Sequence, residues 1–98
     1  MKPRLLLEPE AKADLAEAFD WYESQRPGLG SEYLAEVARV LEHIERGPEA
    51  YPIVQGQTRR ALVRRFPYAV LYIIDPVLVG VTSVMHGRRE PRRWQERR

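Results

Sequence analysis

Apolar positions in the first half of the chain recur with a helical period. Leu15, Ala18, Phe19 and Tyr22 stand at i, i+3, i+4 and i+7, the one-sided stripe of an amphipathic helix. Pro9, flanked by Glu8 and Glu10, suits its first turn. There a missing N–H costs nothing, and acids meet the positive end of the helix dipole. Arg26 precedes Pro27 and is biased out of the α region, so this helix ends near Gln25. Pro27-Gly28-Leu29-Gly30 makes a tight connection, and Ser31 offers an N-cap to a second helix. The stripe of that helix is Leu34, Val37, Leu41 and Ile44, with Tyr33 and Val40 at its flanks. Gly47-Pro48 stops it.

The second half reads differently. Arg59 to Phe66 (RRALVRRF) is a strand edged with charge. Tyr68 to Asp75 (YAVLYIID) is apolar on both alternations, which marks a strand covered on both faces and central in its sheet. Val77 to Met85 (VLVGVTSVM) is again rich in β-branched residues. Phe66-Pro67-Tyr68 and Asp75-Pro76 are the turns, because proline cannot donate within a central ladder. Pro3 to Leu7 (PRLLL) supplies a first strand. The order is strand, helical hairpin, three-stranded meander. It predicts one α+β domain over residues 1–98, with the helices covering one face of an antiparallel sheet. There is no internal repeat, low-complexity segment or linker.

Charge changes the picture more than composition does. Apolar residues make up 44% and charged residues 31%, the balance of a globular chain rather than a disordered one. The absence of cysteine excludes disulfides and thiolate chemistry and is compatible with a reducing compartment. The opening MKPRLLLEPEAKADL has three consecutive leucines before a glutamate. That is too short for a signal-peptide core or a membrane span, and the expectation is a soluble, cytoplasmic protein. The net charge of +2 hides an asymmetry. Residues 1–58 hold six Lys/Arg against eleven Asp/Glu; residues 59–98 hold ten Arg, no Lys and three acids. Arginine presents a planar fork of donors matched to carboxylate and phosphate, so the second part expects an anionic partner.

The order of several short motifs resembles the RelE/ParE superfamily of toxins from bacterial toxin–antitoxin pairs. The matching residues are Ala11, Asp14-Leu15 and Trp21-Tyr22-Glu23 on the first helix, and Pro27-Gly28-Leu29-Gly30 at the turn. Pro48 and Tyr51-Pro52 follow the second helix. Arg65-Phe66-Pro67-Tyr68 and Tyr72 lie on the strands, and His86, Arg88-Arg89, Pro91 and Trp94 come near the end. The resemblance covers nearly the whole chain and implies a β-α-α-β-β-β fold with a helical hairpin on the sheet. It implies a toxin neutralised by a cognate antitoxin, with toxin–antitoxin assembly of higher order among its possible forms. Its two activities are inhibition of DNA gyrase and ribosome-dependent cleavage of mRNA. A relative without toxicity, acting only as a binding partner, is a third reading.

RNA cleavage needs a base for the 2′-hydroxyl, an acid for the leaving oxygen and cations for the phosphorane. Arg64, Arg65, Arg88 and Arg89 are candidate cations, His86 the best candidate acid or base, and Glu90 a second. The lysine-rich surface and terminal tyrosine of RelE-like nucleases are missing. No lysine follows Lys12, and the late aromatic is Trp94, whose indole does not titrate in this range. The weak acid–base set favours the gyrase reading, with Arg64, Arg65, His86, Arg88, Arg89 and Trp94 as target-binding residues. Trp94 is expected to pin an ordered C-terminal tail onto the sheet. An acidic antitoxin segment is expected on Arg59, Arg60, Arg64 and Arg65 and in the groove between the helices. His43 reads as a surface residue. Neither histidine has a second His or Cys at metal-ligand spacing, so neither metal nor cofactor is expected.

Overall fold

The computed structural model describes residues 4–87. Strand β1 (Arg4–Leu7) leads into helix α1 (Pro9–Gln25) and helix α2 (Leu29–Arg46), followed by a short 3₁₀ turn at Pro48–Ala50. Strands β2 (Ile53–Gln55), β3 (Thr58–Leu62), β4 (Tyr68–Ile74) and β5 (Leu78–His86) complete the described elements. The spatial order is β1-β5-β4-β3-β2. The α+β class is as expected, but the sheet is mixed. β2 to β5 run antiparallel to their neighbours, while β1 lies parallel to β5 through Leu5↔Val79 and Leu7↔Val81. A parallel pair needs a long crossover, and the helical hairpin with three strands provides one.

The local punctuation of α1 works as read. Arg26 is extended, its N–H bonds back to the Tyr22 carbonyl, and Pro27 follows. The start of α2 differs. Gly28 adopts the left-handed conformation with φ of 91°, the helix begins at Leu29, and Ser31 lies inside it. The cap comes from α1: the Glu23 carboxylate accepts the Gly28 N–H at 3.0 Å and the Gly30 N–H at 2.8 Å. A charged acceptor at the positive end of the dipole replaces the expected serine.

The buried face of α2 is Gly30, Tyr33, Val37, Val40 and Ile44. The helix is rotated from the expected stripe, so that Tyr33 and Val40 lie central while Leu34 is 37% exposed. Tyr33 stacks among Tyr22, Phe66 and Tyr68, with ring centroids 5.0–5.4 Å away. That aromatic cluster draws the helix toward its Tyr33 side. Val70 and Tyr72 of β4 join Val79, Val81 and Val84 of β5 in the core beneath the helices. The alternate positions Ala69, Leu71 and Ile73 are also buried, as a central strand requires.

Two strand expectations change. β3 stops at Leu62, and Val63 to Pro67 form a turn in which Arg65 has φ of 71°. The three-residue β2 was not expected at all. It forms a hairpin with β3 around Gly56, whose φ is 55°, and carries a bulge. The expected tail, including Glu90, Pro91 and Trp94, lies outside the described residues. No helix among the described residues is long and apolar enough to cross a membrane.

Candidate functional site

The antiparallel β4–β5 hairpin sets Tyr68 directly opposite His86. Their rings meet edge to face with centroids 5.2 Å apart, and the Gly87 N–H bonds to the Pro67 carbonyl just beyond. The Asp75-Pro76 turn makes this pairing. Residues equidistant from a turn centred near position 77 face each other, and β4 and β5 hold that register from Leu71↔Ser83 to Tyr68↔His86. Nearer the turn a bulge shifts the register, and the Thr82 hydroxyl there donates to the Leu71 carbonyl at 3.3 Å.

Tyr68 and His86 line two hollows. One, of about 370 Å³, opens between β3, β4 and the end of β5; Val54, Leu62, Ala69, Leu71 and Met85 line it, with Arg60 as its one described cation. The other, of about 520 Å³, lies against α1 and is bordered by Glu17, Trp21 and Tyr22. His86 thus stands beside Tyr68 and shares a cleft with Glu17, giving it two titratable neighbours. Glu17 was not singled out from the sequence, and Tyr68 was named there in the Arg65-Phe66-Pro67-Tyr68 motif but not as a site residue. The turn position carried the signal for Tyr68, whereas Glu17 arrives through helix packing. Trp21 is 57% exposed at the rim of the second hollow.

Among the described residues the arginines do not gather around His86. Arg65 lies in the turn after β3 and reaches back to α2, where its Nη2 contacts Glu32 Oε1 at 2.9 Å and its Nη1 lies 3.8 Å from Glu36 Oε2. Its guanidinium also sits 5.3 Å from the Phe66 ring centroid. The hydrogen bond from Arg65 is the main reason the Glu32 carboxyl falls below its ordinary range, with Arg26 adding to the effect against a smaller cost of desolvation. Arg59 donates to the carbonyls of Glu49 and Tyr51 at 3.1 and 2.7 Å, bracing the segment before β2. Arg64 is exposed in the turn, and Arg60 is exposed at the rim of the first hollow. His43 is exposed on α2. Arg88, Arg89, Glu90 and Trp94 lie outside the described residues. Among the described residues no three His, Cys, Asp or Glu side chains gather in a metal-holding group.

Residues 5–91 match the model of the family described as "ParE toxin of type II toxin-antitoxin system, parDE". Among solved structures, the chain is similar to one from the chromosomal ParDE system of Pseudomonas aeruginosa, with a TM-score of 0.79 and 13% identity over 87% of this chain and 96% of that one. It is also similar to a chain of the toxin–antitoxin complex RelBE2 from Mycobacterium tuberculosis, with a TM-score of 0.60 and 22% identity over 88% and 99% of the two chains. At these identities the structural likenesses establish the fold. No curated protein matches the chain.

Proposed function

Because the chain belongs to the family of ParE toxins of type II toxin–antitoxin systems, we propose that it inhibits DNA gyrase and is neutralised when a cognate antitoxin binds it. The observation that carries the choice of target is the character of the hollow beside His86. Its described lining is mostly aliphatic, with one arginine. A phosphodiester in the act of cleavage needs several converging cations, whereas an apolar hollow suits a side chain of a protein partner. Arg65, a candidate phosphate ligand, is engaged with two carboxylates of α2. Holding gyrase in its DNA-cleaving state requires no proton transfer from the toxin. On this reading Arg64 and His86, with Arg88, Arg89 and Trp94, form the target surface, and the protein works in the cytoplasm. The antitoxin binds Arg60 and Arg64, with Arg59 and Arg65 bracing the segments that present them.

One observation favours a second reading, ribosome-dependent cleavage of mRNA: His86 lies next to Tyr68 and shares a cleft with Glu17. A histidine with a phenol and a carboxylate nearby is a usable acid–base set. One experiment separates the two. Purified protein is added to a gyrase supercoiling reaction and, separately, to programmed ribosomes. Cleaved plasmid accumulating only with gyrase is expected. Codon-positioned cuts in mRNA, abolished by His86→Ala, would overturn the proposal, and activity in neither assay would leave a binding partner without toxicity.

A further inference from the structure

The hollow of about 520 Å³ between α1 and the end of β5 is walled by rings. Its described lining is Trp21, Tyr22, Tyr68 and His86, with Glu17, Ala18 and Pro67 among them. Successive rings meet edge to face. Trp21 and Tyr22 stand 5.1 Å apart at 81°, Tyr22 and Tyr68 6.1 Å at 60°, and Tyr68 and His86 5.2 Å at 80°. Rings turned this way present their faces in several directions, as the walls of a cleft do, instead of closing into one stack. Among the described Trp, Tyr and Phe residues only Trp21 is exposed, and it stands at the rim. An indole left to solvent is suited to contact with a ligand.

Charge narrows what these rings receive. The Glu17 carboxylate belongs to the lining, and Asp14 joins it in a smaller adjoining hollow that shares Glu17, Ala18 and Tyr68. Helix α1 as a whole carries five acids and one lysine. A phosphate would be repelled here, which disfavours a stacked nucleotide. An apolar side chain would set hydrocarbon against a carboxylate. A cation satisfies both features at once, because the negative faces of aromatic rings attract it, tryptophan most strongly. A guanidinium fits better than an ammonium. It is planar and weakly hydrated, so it stacks on a ring while its edge donates to a carboxylate.

We propose that this cleft is a binding site for a guanidinium group, stacked on Trp21 with its edge toward Glu17. The site is independent of which target the toxin meets. It shares Pro67, Tyr68 and His86 with the aliphatic hollow on the other side of His86 and none of that hollow's other lining. The same carboxylate is the one that the nuclease reading would use in proton transfer, and a guanidinium bound to it would take it out of that role. Two sources can supply the group: one of the six arginines that follow Gly87 in the chain, or an arginine of a partner protein. The chemistry of the site is the same for both, but an internal arginine competes at high effective concentration.

The test follows the indole N–H of Trp21 by NMR in the full-length chain, told from that of Trp94 with Trp94→Phe. Methylguanidinium is the probe, and methylammonium at the same ionic strength is its comparison. A saturable shift is expected at concentrations on the order of millimolar, with binding about tenfold or more weaker for methylammonium and after Glu17→Gln. Glu17 is exposed, so a thermal melt matching the parent confirms that this variant folds. The titration is repeated on a chain carrying Arg88→Gln, Arg89→Gln, Arg92→Gln, Arg93→Gln, Arg97→Gln and Arg98→Gln. Equal midpoints in the two chains support a site open to a partner's arginine. Binding about tenfold or more tighter in the substituted chain supports a site held by the chain's own arginine. No saturable shift in either chain, equal binding of methylammonium, or binding unchanged by Glu17→Gln overturns the inference.

Discussion

Removing a single oxygen atom from Tyr33 is expected to stabilise the protein. Tyr33 is fully buried, and its hydroxyl has no hydrogen-bond partner among the described residues, while its ring packs against three other aromatic rings. Burial, more than its neighbours Tyr68, Tyr22 and Asp14, pushes its pKa well above the ordinary tyrosine value. A buried hydroxyl without a partner forfeits its hydration at a cost of about 1–3 kcal/mol. Tyr33→Phe removes that cost and keeps the ring, losing only a few contacts of about 0.1–0.2 kcal/mol each. The net gain is about 1 kcal/mol, or a rise in Tm of about 4–8 °C for a domain of this size. Tyr72 is the control. It is equally buried, but its hydroxyl donates to the Pro48 carbonyl at 2.6 Å. Tyr72→Phe should therefore cost about 1 kcal/mol. Urea unfolding of both variants, with the denaturant slope unchanged, measures the two shifts. Equal losses of stability at the two positions would refute the reasoning, because they would mean that the Tyr33 hydroxyl is satisfied in solution.

Three further expectations test the helical hairpin and the buried phenols. A Cβ at Gly30 would meet Phe19 Cδ1 at 2.7 Å and the Phe19 carbonyl oxygen at 2.8 Å, so Gly30→Ala should push the helices apart and cost about 1–3 kcal/mol in thermal unfolding. Glu23→Ala leaves the Gly28 and Gly30 amides without their shared acceptor and should cost about 1–2 kcal/mol, with amide exchange fastest in the first turn of α2. Burial raises the pKa of Tyr33 and pushes that of Tyr72 up to about 12. The unfolded chain therefore releases these protons first, near pH 10. Stability is intact below about pH 10 and falls as the pH climbs toward 12, which urea midpoints across that range would record; Tyr33→Phe should flatten the fall.

Much of the fold is legible in the residues because its signals act over a few positions. Pro9 and Arg26-Pro27 bound α1, Gly47-Pro48 ends α2, and Asp75-Pro76 sets the turn between β4 and β5. The doubly apolar run from Tyr68 identifies the central strand. Of the candidate site, His86 at the end of β5 was legible, and so was the arginine richness of the second half. What surrounds His86 was not. Tyr68 reaches it through strand register, and Glu17 through the packing of α1 on the sheet.

Tertiary structure alone decided the remainder, each time for the same reason: the choice rests on a surface distant in sequence. The apolar stripe of α2 is wide enough to bury either Leu34 or Tyr33, and the aromatic rings of Tyr22, Phe66 and Tyr68 chose Tyr33. A short apolar run such as Arg4–Leu7 can pair in either direction; it lies parallel to β5 because the hairpin and meander bring that strand beside it. Four arginines near one another in the chain look alike, yet Arg59 is held by backbone carbonyls and Arg65 by carboxylates of α2, while Arg60 and Arg64 face outward. Periodicity and turn chemistry determine elements, but register, helix rotation and the partner of each charge are set by what the folded chain brings within a few ångströms.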